Sequence, residues 1–135
     1  MILKSYEINK INQNINHLIL FYGKNEGLKN EALNILIKDK NISKYDEKEI
    51  LDNENNFIEN ILSKSFFEQQ KSIVIRRATD KILRIIEILC LKNLEDTKII
   101  LSSDNLEKKS KLRSFFEKDK KLVCVPFYPD NDQIL

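Results

Sequence analysis

Leu18-Ile19-Leu20-Phe21-Tyr22-Gly23 decides the fold. From Leu18 to Tyr22 the run is unbroken and apolar, and it stops at a glycine. A strand with one wet face alternates apolar and polar residues, whereas a parallel strand covered by helices on both faces reads as a continuous run. The stretch therefore predicts a central parallel strand. Ser72-Ile73-Val74-Ile75, Lys98-Ile99-Ile100-Leu101 and Leu122-Val123-Cys124-Val125 repeat the pattern, the last stopped by Pro126. Their starts recur about every 25 residues, the length of one strand plus one crossover helix.

The intervening segments supply the helices. Leu28, Ala32, Ile35 and Leu36 fall at helical spacing behind Asn25, a suitable cap. Asn55 or Asn56 is expected to cap a helix whose inner side is Phe57, Ile58, Ile61 and Leu62. Thr79 precedes Ile82, Leu83, Ile85, Ile86 and Leu89, and a last helix carries Leu112, Phe115 and Phe116 with Lys109, Lys111 and Arg113 outside. Residues 4–12 predict a short leading helix with Tyr6, Ile8 and Ile11 as its apolar side, and residues 43–51 at most a polar edge strand. The expectation is a three-layer αβα fold around a five-stranded parallel sheet. It forms one domain over residues 1–128, with 129–135 starting a connection to a second domain.

With 135 residues, 41% hydrophobic and 33% charged, the chain suits one soluble core. Lys+Arg 23 against Asp+Glu 21 gives a net charge of +2, too small to argue for nucleic acid or membrane. No run approaches the roughly 20 apolar residues a membrane span needs, so a cytoplasmic location is expected. Cys90 and Cys124 have no metal spacing and read as small buried hydrophobes. The only glycines, Gly23 and Gly27, are each expected to serve the backbone.

Gly23-Lys24-Asn25-Glu26-Gly27-Leu28-Lys29-Asn30 lies where a phosphate loop would, after a strand and opening a helix. A working loop needs four residues between its glycines, then a Lys for the phosphates and a hydroxyl for magnesium. Here three residues intervene, Leu28 stands in place of the Lys, and no Ser or Thr follows. The loop is degenerate. Asp104-Asn105-Leu106-Glu107 reads as a helix start with favourable charges rather than a metal site, and His17 as a residue of the strand entrance. Arg76, Arg77, Lys81 and Arg84, and the later set Lys108, Lys109, Lys111, Arg113, Lys118, Lys120 and Lys121, read as solvated faces interleaved with acids.

Ser63-Lys64-Ser65-Phe66-Phe67-Glu68-Gln69-Gln70-Lys71 joins a helix to the strand at Ser72. Such connections run over the surface, where two adjacent phenylalanines lose the benefit of burial. Phe66 and Phe67 either fold back into the core or serve a partner.

Taken together, Leu20-Phe21-Tyr22-Gly23 with Gly27, Ser65-Phe66-Phe67 before Lys71-Ser72-Ile73-Val74-Ile75-Arg76-Arg77-Ala78, and Ser102-Ser103-Asp104-Asn105-Leu106-Glu107 running on to Phe115-Phe116-Glu117 resemble the bacterial DNA polymerase III delta subunit. Val123-Cys124-Val125-Pro126-Phe127-Tyr128-Pro129-Asp130-Asn131 resembles the exit from that family's first domain. The likeness spans nearly all of the chain but less than half of a typical delta chain. It implies an AAA+ fold that binds no ATP, no cofactor or metal, and no intrinsic catalysis. It implies a clamp-loader part in DNA replication, in which delta grips the beta sliding clamp and helps open the ring. The family does this with an apolar pair following a serine, here Phe66 and Phe67 after Ser65. A third apolar anchor often precedes that serine, where this chain has Lys64, with Leu62 nearby. The implied further partners are the other loader subunits, gamma/tau and delta prime, in the full-length protein; DNA is touched only weakly or indirectly, and no membrane is involved. The competing readings are a P-loop-like nucleotide-binding enzyme with a degenerate loop and a DNA-binding domain using its basic helix.

Overall fold

The structure is a computed structural model and describes residues 1–12, 15–37, 42–63, 71–92, 94 and 97–128. Five parallel strands, β1 (Leu18–Tyr22), β2 (Ile42–Asp46), β3 (Lys71–Arg76), β4 (Thr97–Ser103) and β5 (Val123–Pro126), form one sheet in the order β2-β3-β4-β1-β5. The helices are α1 (Glu26–Leu36), α2 (Glu47–Asp52), α3 (Glu54–Leu62), α4 (Leu83–Cys90) and α5 (Lys111–Lys118), with 3-10 turns at Ser5–Lys10 and Asp80–Ile82. The three-layer αβα architecture expected from the apolar runs is the one observed.

Strand order and handedness divide the helices between the faces. The connection from β1 to β2 travels past β4 and β3, while all later connections travel back the other way. Right-handed crossovers then put α1 on one face and α2–α5 on the other. The core agrees. Leu18, Leu20 and Tyr22 of β1 pack with Ile50, Phe57, Ile61, Ile86, Leu112 and Phe116, whereas Ile19 and Phe21 pack with Ala32, Leu36 and the leading turn's Ile8. All five β1 residues are buried, which is why the run could not alternate. The outer edge of β5 is covered by the N-terminal residues: Leu3 N–H donates to Cys124 O at 3.0 Å and Cys124 N–H to Met1 O at 2.9 Å.

Several local expectations are corrected. Residues 47–51, read as part of a polar edge strand, belong instead to α2, because Asp46 and Glu49 make a reciprocal capping box and Ile50 plugs the core. The α3 cap position is Asn53, not Asn55 or Asn56. Tyr6 and Ile35 are exposed rather than inward. Cys124 is buried and its thiol is pushed up to about 12, chiefly by desolvation. Cys90 is exposed, lying roughly a quarter turn from the buried face of Ile82, Ile85, Ile86 and Leu89. Arg113, expected outside, has turned inward: its Nε meets Glu117 at 3.0 Å, a terminal nitrogen donates to Leu106 O at 2.8 Å, and the guanidinium lies over the Tyr22 ring. No helix among the described residues is long and apolar enough to cross a membrane.

Candidate functional site

Two places merit construction, at opposite edges of the sheet. The first is the connection into β3 at the amino edge. Helix α3 forms because Phe57 and Ile61 repeat at helical spacing and both are buried. The helix stops at Ser63, whose backbone is extended. Lys71, the first residue of β3, sends its ammonium back to Asn60 O at 3.0 Å and Ser63 O at 2.6 Å. A cation on the carbonyl end of a helix satisfies orphan acceptors and favours the helix dipole. The lysine thereby ties the end of α3 to the start of β3, fixing both bases of the connection. Ser65, Phe66 and Phe67, named above as the clamp-binding residues, and Lys64 with them, lie outside the described residues. Phe57 and Ile61, with the partly buried Ile58 and Leu62, fill the core beneath α3.

The second place is the turn from β1 into α1, at the carboxyl edge. A phosphate loop works because its backbone amides point outward, free to cradle an anion. Here four of them are spent internally. Gly23 N–H donates to Asp104 O at 3.2 Å, Glu26 N–H to Lys24 O at 3.0 Å and Lys29 N–H to Asn25 O at 3.1 Å. Leu28 N–H donates to the Asn25 side chain at 3.1 Å. Gly23 has φ +121°, and a Cβ built there would lie 2.0 Å from Phe127 O. The chain leaving β5 occupies the space above the turn, with Phe127 N–H on Tyr22 O at 2.7 Å. Gly27 has ordinary surroundings, so only Gly23 has the backbone role expected of both. Lys29, the nearest lysine to the phosphate position, is 2% exposed; its ammonium meets Ser103 O at 3.0 Å and Glu26 at 2.8 Å. Sequence reasoning missed this strut, since a lysine on the buried face of α1 carries no periodic signal.

The remaining candidates resolve simply. Asp104-Asn105-Leu106-Glu107 starts no helix; α5 begins at Lys111, capped by Ser110. Asp80, from the far side of the α4 turn, accepts from Ser110 Oγ at 2.6 Å and from the Lys111 and Leu112 amides at 3.2 and 3.1 Å. Burial pushes its carboxyl up, but these hydrogen bonds outweigh burial and hold it below the usual range. His17 sits at the entrance of β1, its carbonyl accepting from Ile99 N–H at 2.8 Å. Arg84 pairs with Glu54 and Arg76 with Asp46, so that basic group is interleaved with acids. Among the described residues no group of His, Cys, Asp and Glu is placed to hold a metal. No protein-family model matches the chain, and no curated protein matches it.

Proposed function

We propose that this chain is a clamp-binding domain of the DNA polymerase III delta type, an AAA+-like module with a degenerate nucleotide loop, acting in DNA replication in the cytoplasm. In this reading it is not itself an enzyme and uses no cofactor. Phe66 and Phe67, following Ser65, insert into an apolar pocket of the beta sliding clamp and help open the ring. Residues 129–135 lead to a further domain, through which gamma/tau and delta prime would be met.

The observation that carries the reading is the construction of the connection into β3. Its bases are pinned by the Lys71 ammonium on Asn60 and Ser63. The core beneath is already supplied by Phe57 and Ile61. Fixing the two bases lowers the entropy that a partner must take from the connection carrying the apolar pair, which suits an anchor. The β1–α1 turn supports the same reading against a nucleotide-binding enzyme, since the Gly23, Glu26, Leu28 and Lys29 amides already have partners.

The test is capture of the same organism's sliding clamp by the chain, without nucleotide. Truncating a central aromatic anchor costs about 2–4 kcal/mol, so Phe66→Ala and Phe67→Ala are each expected to weaken binding roughly 30- to 1000-fold. Their melting temperatures should stay within a few degrees of the parent. A large fall in melting temperature with clamp affinity kept in the folded fraction would make the pair core residues. Micromolar Mg-ATP binding by calorimetry would instead revive the enzyme.

A further inference from the structure

A cleft of about 670 Å³ opens on the α1 side of the sheet, at the carboxyl ends of β2, β3 and β4. Parallel α/β sheets place ligands beyond the carboxyl ends of their strands, and this volume falls within the roughly 300–1,000 Å³ of small-molecule sites. Val74 and Leu33 give it an apolar wall. Four cations and three carboxylates also line it. Two pairs neutralise one another, Lys29 with Glu26 at 2.8 Å and Arg76 with Asp46 at 3.3 Å. That leaves Lys44 and Arg77 on one side and Asp104 on the other. Neither Lys44 nor Arg77 makes a side-chain hydrogen bond or ion pair among the described residues.

Arg77 also has a positive φ, at 59°. An L-residue in this conformation is strained, and a glycine would avoid the strain. The neighbouring Ala78 amide fixes the turn by donating to Ser102 O at 3.0 Å. The strain therefore holds an arginine, rather than a glycine, at the mouth of the cleft.

We infer that this cleft binds a small phosphomonoester. The phosphate is taken by Arg77 and Lys44, the body of the ligand rests on Val74 and Leu33, and Asp104 accepts a hydroxyl while repelling a second anionic group. The guanidinium fork matches phosphate oxygens in pairs, and Lys44 adds a point charge. This inference does not rest on the clamp reading, because cleft and clamp-binding connection lie at opposite ends of β3.

The experiment is a titration with inorganic phosphate, followed by calorimetry and by backbone amide shifts, on the parent, Arg77→Gly, Lys44→Ala and the control Lys120→Ala. Saturable binding is expected in the parent and the control. Arg77→Gly should weaken it at least tenfold while melting no lower than the parent, since glycine removes the backbone strain. Lys44→Ala should weaken it in the same direction. Absence of saturation, or equal binding in all four proteins, would overturn the assignment. So would retention only of duplex DNA binding that fades with salt, which would make the cations a contact for a polymer backbone.

Discussion

Replacing Gly23 by alanine tests how tightly the turn after β1 is closed. The residue has φ +121°, outside both the helical and extended regions open to L-residues, so alanine pays strain of about 1–3 kcal/mol. The added Cβ would also stand 2.0 Å from Phe127 O, 2.8 Å from its carbonyl carbon and 3.0 Å from its nitrogen. These are backbone atoms, and no side-chain rotation relieves the overlap. The chain beyond β5 must move, and with it the bond from Phe127 N–H to Tyr22 O at 2.7 Å, about 1 kcal/mol net. Phe127 is 1% exposed and its ring meets Phe21 edge-on at 4.9 Å, so part of its burial is lost as well.

The sum is roughly 3–5 kcal/mol, a large share of the 5–15 kcal/mol typical of a domain. For a chain of this size that corresponds to a melting temperature lower by roughly 10–20 °C. Gly27→Ala is the internal control: it lies in α1, and its Cβ would meet only the Asn25 side chain at 3.7 Å. Exchanging an unstrained helical glycine for alanine should stabilise by about 0.5–1 kcal/mol. Urea denaturation of both variants gives the comparison. A Gly23→Ala cost below about 1 kcal/mol would show that the exit from β5 yields freely, and the argument that the turn is sealed would fail.

Asp80→Asn should cost about 1–2 kcal/mol at neutral pH, because Asp80 caps α5 from another element. The Asp80 carboxyl is held below its unfolded value of 3.8. Its contribution is therefore present above that pH and lost as pH falls through the lower folded value, so parent and variant stabilities should converge on acidification. Lys29→Met, which keeps the buried stem and removes the ammonium, should stay within about 1–2 kcal/mol of the parent, since desolvation relieved offsets the lost bonds. Lys29→Ala should cost about 1 kcal/mol more by leaving the stem's space empty, and equal losses in chemical denaturation would refute that division.

The sheet was legible because four of its strands are continuous apolar runs, three of them starting about 25 residues apart. The short α2 was harder to read. Six residues with one core side chain, Ile50, give no period, although the spacing of Asp46 and Glu49 was a capping signal open to use. Cys90 and Ile35 failed for another reason: each lies at the margin of a helical face, where a few tens of degrees decide exposure. Arg113 and Lys29 were invisible as inward residues because long cationic side chains bury their stems wherever a carbonyl or carboxylate can receive the head. The defective phosphate loop was read from missing residue types. Its sealing by Phe127 and Asp104 depends on contacts about 80 to 100 residues away in sequence, which local pattern does not encode.

The two edges of the sheet bear on one another through what each has given up. A nucleotide site needs free amides and a mobile lysine at the β1–α1 turn, and this chain has turned four amides and the lysine into supports: the Gly23, Glu26, Leu28 and Lys29 amides hold the turn, and Lys29 holds β4 through Ser103. Once the turn is a fixed joint, nucleotide chemistry there has no mobile part to act on. Shape change, if the chain takes part in any, must then enter from a partner rather than from a bound phosphate at that turn. That places the burden on the connection between Ser63 and Lys71, where the bases are rigid and two phenylalanines lie between them in sequence. Under the proposed function, a partner engaging that connection would act on β3 and so on the sheet, because packed cores move as units rather than deform.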